Sequence, residues 1–188
     1  MSQIALKGAT TGTGVFTLES PATNTDRTLV LPDEAGTVLT SASNVVQKGV
    51  PAFSAYQSSA QSGLANATYV KITLDTEEFD TNSNFSSSRF TPTVAGYYQI
   101  SGTVTMNSLT QTHSVTTVLH KNGSAYKTGS QSRANSLSYP AASVSSLVYL
   151  NGTTDYVELY AYGDTGGTWT TAAAVYFTFL NGVLVRAA

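Results

Sequence analysis

The run Phe79-Asp80-Thr81-Asn82-Ser83-Asn84-Phe85, taken up again at Arg89-Phe90-Thr91-Pro92-Thr93-Val94-Ala95-Gly96-Tyr97-Tyr98, decides how the chain folds. Side chains of a strand alternate between two faces, so the adjacent Tyr97 and Tyr98 put large rings on opposite sides of one strand. One ring can enter a sandwich core while the other meets a neighbouring chain. The competing reading takes both as ordinary half-buried domain aromatics.

Working outward, helical periodicity is almost absent. Apolar residues recur at every second position, as in Val115, Thr117 and Leu119, or in short solid runs such as residues 172–180. Gly and Asn punctuate them at Lys121-Asn122-Gly123, at Asn151-Gly152 and at Gly163-Asp164-Thr165-Gly166-Gly167. The pattern predicts strands over 52–57, 69–74, 85–91, 96–107, 113–121, 125–131, 143–150, 156–162 and 171–180. That number of short strands suits an all-β, two-sheet jelly roll.

A chain of 188 residues, 41% of them hydrophobic, can give such a domain its own core. Only 11% are charged, against roughly a quarter in an average soluble domain, so the surface is mostly neutral and polar. A formal net charge of -2 with no Lys/Arg run argues against nucleic acid as a partner. The absence of cysteine removes disulfides, thiolate catalysis and zinc-thiolate sites together. The first residues lack a basic and apolar leader, and no later stretch has the length of a spanning helix, so the chain is expected to be made in a cytoplasm and not inserted in a membrane.

Residues 3–42 alternate weakly (Val15, Phe16, Leu18; Leu29, Val30, Leu31; Val38, Leu39) and hold too few apolar groups for a private core. The periodicity pauses around residues 41–48. We therefore divide the chain into a short β-rich N-terminal stalk, 1–45, and a head, 46–188.

The stretch quoted at the outset resembles the signature of complement C1q / tumour-necrosis-factor heads: an aromatic-Asp pair, a Phe-x-x-Pro turn, then Gly and an aromatic strand. Pro51-Ala52-Phe53-Ser54-Ala55 is similar to that family's first strand, and Val118-Leu119-His120-Lys121-Asn122-Gly123 to its middle hairpin. The run from Val148-Tyr149-Leu150 through Asn151-Gly152-Thr153-Thr154-Asp155 to Tyr156-Val157 is similar to its later strand pair, with the Asp of the usual Gly-Asp turn displaced. Tyr176-Phe177-Thr178-Phe179-Leu180 is similar to its aromatic last strand. The resemblance covers residues 51–180 and implies a C1q/TNF-like jelly roll that assembles as a homotrimer, with Tyr98 and Tyr176 or Phe179 on the shared axis.

Leu31-Pro32-Asp33-Glu34-Ala35-Gly36-Thr37, within residues 14–39, is similar to short β segments of tailed-phage fibre and virion proteins. Pro-Asp followed by Gly is also simply good turn chemistry. Joined to a trimeric head, it leads to a virion fibre, of tail or head, attached to other virion proteins through residues 1–45.

Catalytic signatures are missing: there is no Gly-x-Ser-x-Gly elbow, no His-Glu-x-x-His and no phosphate loop, so no enzyme is expected. His113 and His120, an odd number of positions apart on one expected strand, should face opposite ways and cannot share a metal. Asp75, Glu77, Glu78 and Asp80 have the density of hard oxygens that calcium takes; a solvated turn, or an Asx-turn at Asp80, is the competing reading. No other cofactor is expected.

Strands traced up and down from the stalk place loops 58–66, 108–112, 134–140 and 163–170 at the far tip. That tip would gather Trp169, Tyr139, Asn135, Gln111 and Asp164. Aromatic faces beside amides and carboxylates suit sugar rings, so a bacterial surface glycan or receptor is the expected ligand. Alternatively, Trp169 packs inward at the start of the last strand. Three functions compete: an adhesive fibre, a capsid-decorating or plug protein with no host-recognition role, and a glycan depolymerase. The last needs paired carboxylates across a groove, and acids are sparse outside residues 75–80.

Overall fold

The computed structural model describes residues 50–107, 112–134 and 139–188, together with Thr11, Thr25, Asp26 and Thr28. The chain divides into two units, Met1–Val45 and Val46–Ala188. The expected stalk strands lie outside the described residues.

Among the described residues of the second unit the alternating segments become eleven strands: β1 (Ala52–Tyr56), β2 (Tyr69–Lys71), β3 (Thr76–Asp80), β4 (Phe85–Ser86), β5 (Arg89–Phe90), β6 (Gly96–Thr105), β7 (Ser114–Lys121), β8 (Ser124–Arg133), β9 (Ala141–Leu150), β10 (Val157–Asp164) and β11 (Phe179–Ala187). They form two antiparallel sheets. One is five-stranded in the order β3-β1-β11-β6-β9; the other is six-stranded, β4-β5-β10-β7-β8, with β2 added beside β10. Crossovers between sheets at nearly every connection make this a jelly roll.

Alternation places the core. Phe53, Tyr98, Ile100, Val104, Val148 and Leu180 from the first sheet meet Phe90, Val115, Leu119, Val157, Leu159 and Ala161 from the second, all buried. Phe53 stacks on Phe90 at 4.2 Å, and Phe90 meets Tyr98 edge-on at 5.4 Å. Two elements depart from expectation. The acidic stretch forms the edge strand β3, paired to β1 through a bulge at Ser54/Ala55. The last strand begins at Phe179, not near Thr171: Thr171 bridges Met106, and a turn then closes with Phe177 and Thr178 donating to the Ala174 carbonyl.

Among the described residues no helix is long and apolar enough to cross a membrane.

Candidate interaction surfaces

Position 50 and the β6 start lie at one end of the sandwich, and the described loops 58–66 and 163–170 lie at the other. The Leu64 and Trp169 backbones bridge, the Thr165 and Gly166 N–H groups donate to Asn66 Oδ1 at 2.7 and 3.2 Å, and Asn107 N–H donates to the Thr170 carbonyl. Loops 58–66 and 163–170 therefore meet. Gln111 and Asn135 lie outside the described residues, while Tyr139 and Asp164 are exposed.

Trp169 is not a surface platform. It is only 4% exposed, its Nε1–H donates to the Ala65 carbonyl at 3.1 Å, and its ring lies on Gly163, where the missing side chain makes room for the indole. Of the two readings open from sequence, the inward one holds, because a large ring beside a glycine gap recovers more by burial than by exposure.

Tyr98 is corrected likewise. It is fully buried within its own protomer, its hydroxyl donates to the Val94 carbonyl at 2.7 Å, and burial pushes its pKa up to about 12. It cannot line an interface; its neighbour Tyr97 points outward instead and packs on Tyr149 at 5.4 Å. Phe179 sits half-buried at the start of β11, and Tyr176, 72% exposed, lies in the turn before it. With Tyr139 and Phe177, whose rings stack at 5.3 Å, Tyr176 makes an aromatic cluster near the tip.

The four acidic residues do not converge. Asp75 Oδ1 accepts from Ser58 N–H at 2.6 Å, Glu78 Oε2 from the Ser54 hydroxyl at 2.7 Å, and Asp80 from the Asn82 and Phe85 N–H groups at 3.2 and 2.6 Å. Each of these carboxylates is thus taken by its own local donors, and among the described residues no three His, Cys, Asp or Glu side chains could hold a metal together.

Two faces missed by reading motifs stand out. The outward face of the five-stranded sheet carries an exposed apolar zone of Phe79, Tyr97, Leu147, Tyr149, Val183 and Val185, the last 60% exposed. A cavity of about 470 Å³ opens there between Tyr97, Leu147, Val185 and the 186–188 terminus. Toward the tip the face turns polar, with Gln99 and Ser101 bonded to Ser145 and Thr103 to Ser143 at 2.8–2.9 Å.

On the outward face of the other sheet, alternation along β10 and the residue before it aligns Tyr156, Glu158, Tyr160 and Tyr162. Glu158, its side chain 3% exposed, takes Lys71 Nζ at 2.7 Å and Arg89 Nε at 2.9 Å on one oxygen. Burial opposes its ionisation, but the hydrogen bonds and charges of Lys71 and Arg89 outweigh it and hold the carboxyl below its ordinary pKa. Arg89 lies over Tyr156 at 3.8 Å, Tyr69 packs on Tyr162 at 5.5 Å, and His120 stacks flat on Tyr160 at 3.6 Å. Both His120 ring nitrogens are buried without a hydrogen-bond partner, and burial lowers its pKa. The alternation in Tyr156-Val157-Glu158-Leu159-Tyr160-Ala161-Tyr162 is the signal that could have disclosed this row.

No family model and no curated relative matches the chain by sequence. By fold it is similar to the globular domain of zebrafish complement 1qA (TM-score 0.54, 14% identity, 74% of this chain and 99% of that one). It is also similar to murine APRIL (0.51, 11%, 72% and 99%) and to PRD1 vertex protein P5 (0.51, 17%, 73% and 99%). The head is thus a C1q/TNF-like jelly roll.

Proposed function

We propose that three copies associate through the outward face of the five-stranded sheet, and that the trimeric head, carried by residues 1–45, is the outer part of a virion fibre. The observation that carries this is the exposed zone of Phe79, Tyr97, Leu147, Tyr149, Val183 and Val185. Monomeric proteins seldom leave six large apolar side chains together on one sheet face, and such zones usually meet a partner. The C1q/TNF-like resemblance supplies the copy number, and the likeness to a vertex protein favours the virion surface. In this reading the head contacts a bacterial surface glycan or receptor.

Val185→Asp and Leu147→Asp test assembly, since neither side chain belongs to the protomer core. Light scattering at micromolar concentration should give a trimer for the parent chain and monomers for both variants. A monomeric parent, or trimeric variants, overturns the assembly. The likeness to a vertex protein equally suits a decorating or plug protein; adsorption of the purified trimer to host cells favours the fibre, and its absence the decorating role.

A further inference from the structure

We propose that the outward face of the six-stranded sheet binds an acidic polysaccharide, its sugar rings on the β10 tyrosines and its carboxylates at Arg89 and Lys71. This rests on the reading that the head contacts a host surface, and it moves the contact from the loop tip to the sheet.

Tyrosines two residues apart on one strand face are separated by about 6.5–7 Å, which lines their rings up in one row. Tyr160 and Tyr162, both half-buried, stand in this row beside the exposed Tyr69; His120 takes one face of Tyr160, and Tyr69 leans on Tyr162 at 59°, so Tyr69 and Tyr162 offer the aromatic surface, each with a hydroxyl. Such rings provide the apolar face of a sugar with its platform and the ring hydroxyls with hydrogen-bond partners.

The charges specify an anion. Two cations face the single carboxylate of Glu158, which leaves a positive excess at the centre of the row. Arg89 spends only Nε on Glu158, and 42% of its side chain is exposed, so the remaining edge of its guanidinium can take a carboxylate. Lys71 uses Nζ on Glu158 and the Ser87 carbonyl and keeps a third donor. The outward face of this sheet carries Lys71 and Arg89 against Glu158, with Asp164 at the end of the same β10 row, whereas Glu77, Glu78 and Asp80 stand on β3 of the other sheet.

Folding alone does not call for this arrangement. The face lies outside the sandwich core, yet it buries a carboxylate under two cations and a histidine with both nitrogens unpartnered. Glu158 holds the cations in place, and His120 backs the Tyr160 ring at 3.6 Å. In the proposed trimer this face stays on the periphery, so three copies would grip one polymer and gain through avidity.

The test is calorimetric titration of the full chain with oligogalacturonate, with its methyl ester and with a single-stranded oligodeoxynucleotide. The acid should bind, and the ester at least about tenfold more weakly, one well-placed charged contact. Tyr162→Ser and Arg89→Gln should each weaken the acid about tenfold or more without lowering the melting temperature. If Arg89→Gln melts low, Arg89→Lys keeps the ion pair with Glu158, loses the guanidinium fork, and should still bind weakly. No binding of the acid, equal binding of acid and ester, tighter binding of the oligonucleotide, or unchanged binding by the variants overturns the proposal. Light scattering of the same samples separates the two readings: a trimer that ignores galacturonate overturns the site alone, and a monomer that binds it overturns the assembly alone.

Discussion

At Gly163 the backbone of β10 lies so close to the Trp169 indole that an added methyl carbon would sit 2.6 Å from Cε2 and Nε1. Glycine and tryptophan are therefore one packing unit. Trp169→Ala should cost about 3–5 kcal/mol of stability by urea unfolding, the usual penalty of emptying so large a buried site. Gly163→Ala should destabilise as well, by pushing the indole outward; full stability in both variants would contradict the burial. His120 and Glu158 set the pH response. The folded pKa of His120 lies below its ordinary 6.5, so the unfolded chain takes up the proton first, and stability falls as pH drops below 6.5 toward the folded value. The folded pKa of Glu158 is also depressed, from 4.5, so its contribution is complete above 4.5 and is lost as pH falls through the folded value. His120→Phe keeps the stack on Tyr160 and removes the first process. Its stability between about pH 7 and pH 5 should be flatter than the parent's, and an unaltered slope would assign the loss to another group.

Among the elements, the β7–β8 hairpin shows most directly how sequence becomes structure. Asn122 and Gly123 both have positive φ, 53° and 79°, the conformation that Asn-Gly accepts in a two-residue hairpin turn. The Asn122 amide also reaches the neighbouring loop: it donates to Asp155 Oδ1 at 2.8 Å and accepts Tyr156 N–H at 3.0 Å. That bond first, and then Lys121, hold the Asp155 carboxyl below its ordinary pKa. Asn122→Ala should cost about 1–2 kcal/mol and raise the Asp155 pKa, whereas Asn122→Gly should restore the turn but not the Asp155 titration. Nuclear magnetic resonance titration of Asp155 with urea unfolding checks both; equal Asp155 titration in all three proteins would dissociate the amide from the carboxylate. This hairpin, and most of β6, β7, β9 and β10, were legible because alternation and turn chemistry agree there. The strand β3 was not, since Thr76-Glu77-Glu78-Phe79-Asp80 has no apolar alternation; charge on an edge strand discourages pairing with other chains and hides the strand from a hydrophobic pattern. Residues 171–178 read as strand because they are small and apolar, yet their backbone partners are Gln61, Thr105 and Gln57, spread over three segments. Alternation in Tyr97 and Tyr98 turns one ring in and one out, and the expectation assigned the outward place to the wrong one, Tyr98; Gly96 is held tightly against Arg186 and Ala187, and that long-range contact sets the phase.

For the whole molecule, the decisive quantity is where the buried apolar groups come from. The described core runs from Phe53 to Leu184, spans both sheets and lies wholly within residues 46–188. Hydrophobic burial is the main stabilising term of a domain this size, so a chain that keeps all of these groups keeps nearly all of its folding free energy. Residues 46–188 alone should therefore unfold cooperatively at nearly the temperature of the full chain. They should also remain trimeric, because Phe79, Tyr97, Leu147, Tyr149, Val183 and Val185 all lie within them. If residues 1–45 carry attachment, the same fragment supplied in place of the full chain should be missing from purified particles. Calorimetry, light scattering and particle immunoblots make these three measurements separately. A truncated chain that melts much lower would show that the N-terminal residues complete the core. One that melts normally but scatters as a monomer would move trimer formation to the stalk. One that still enters particles would move attachment to the head, where Tyr139 and Tyr176, exposed beside the half-buried Phe177, would become the first surface to mutate.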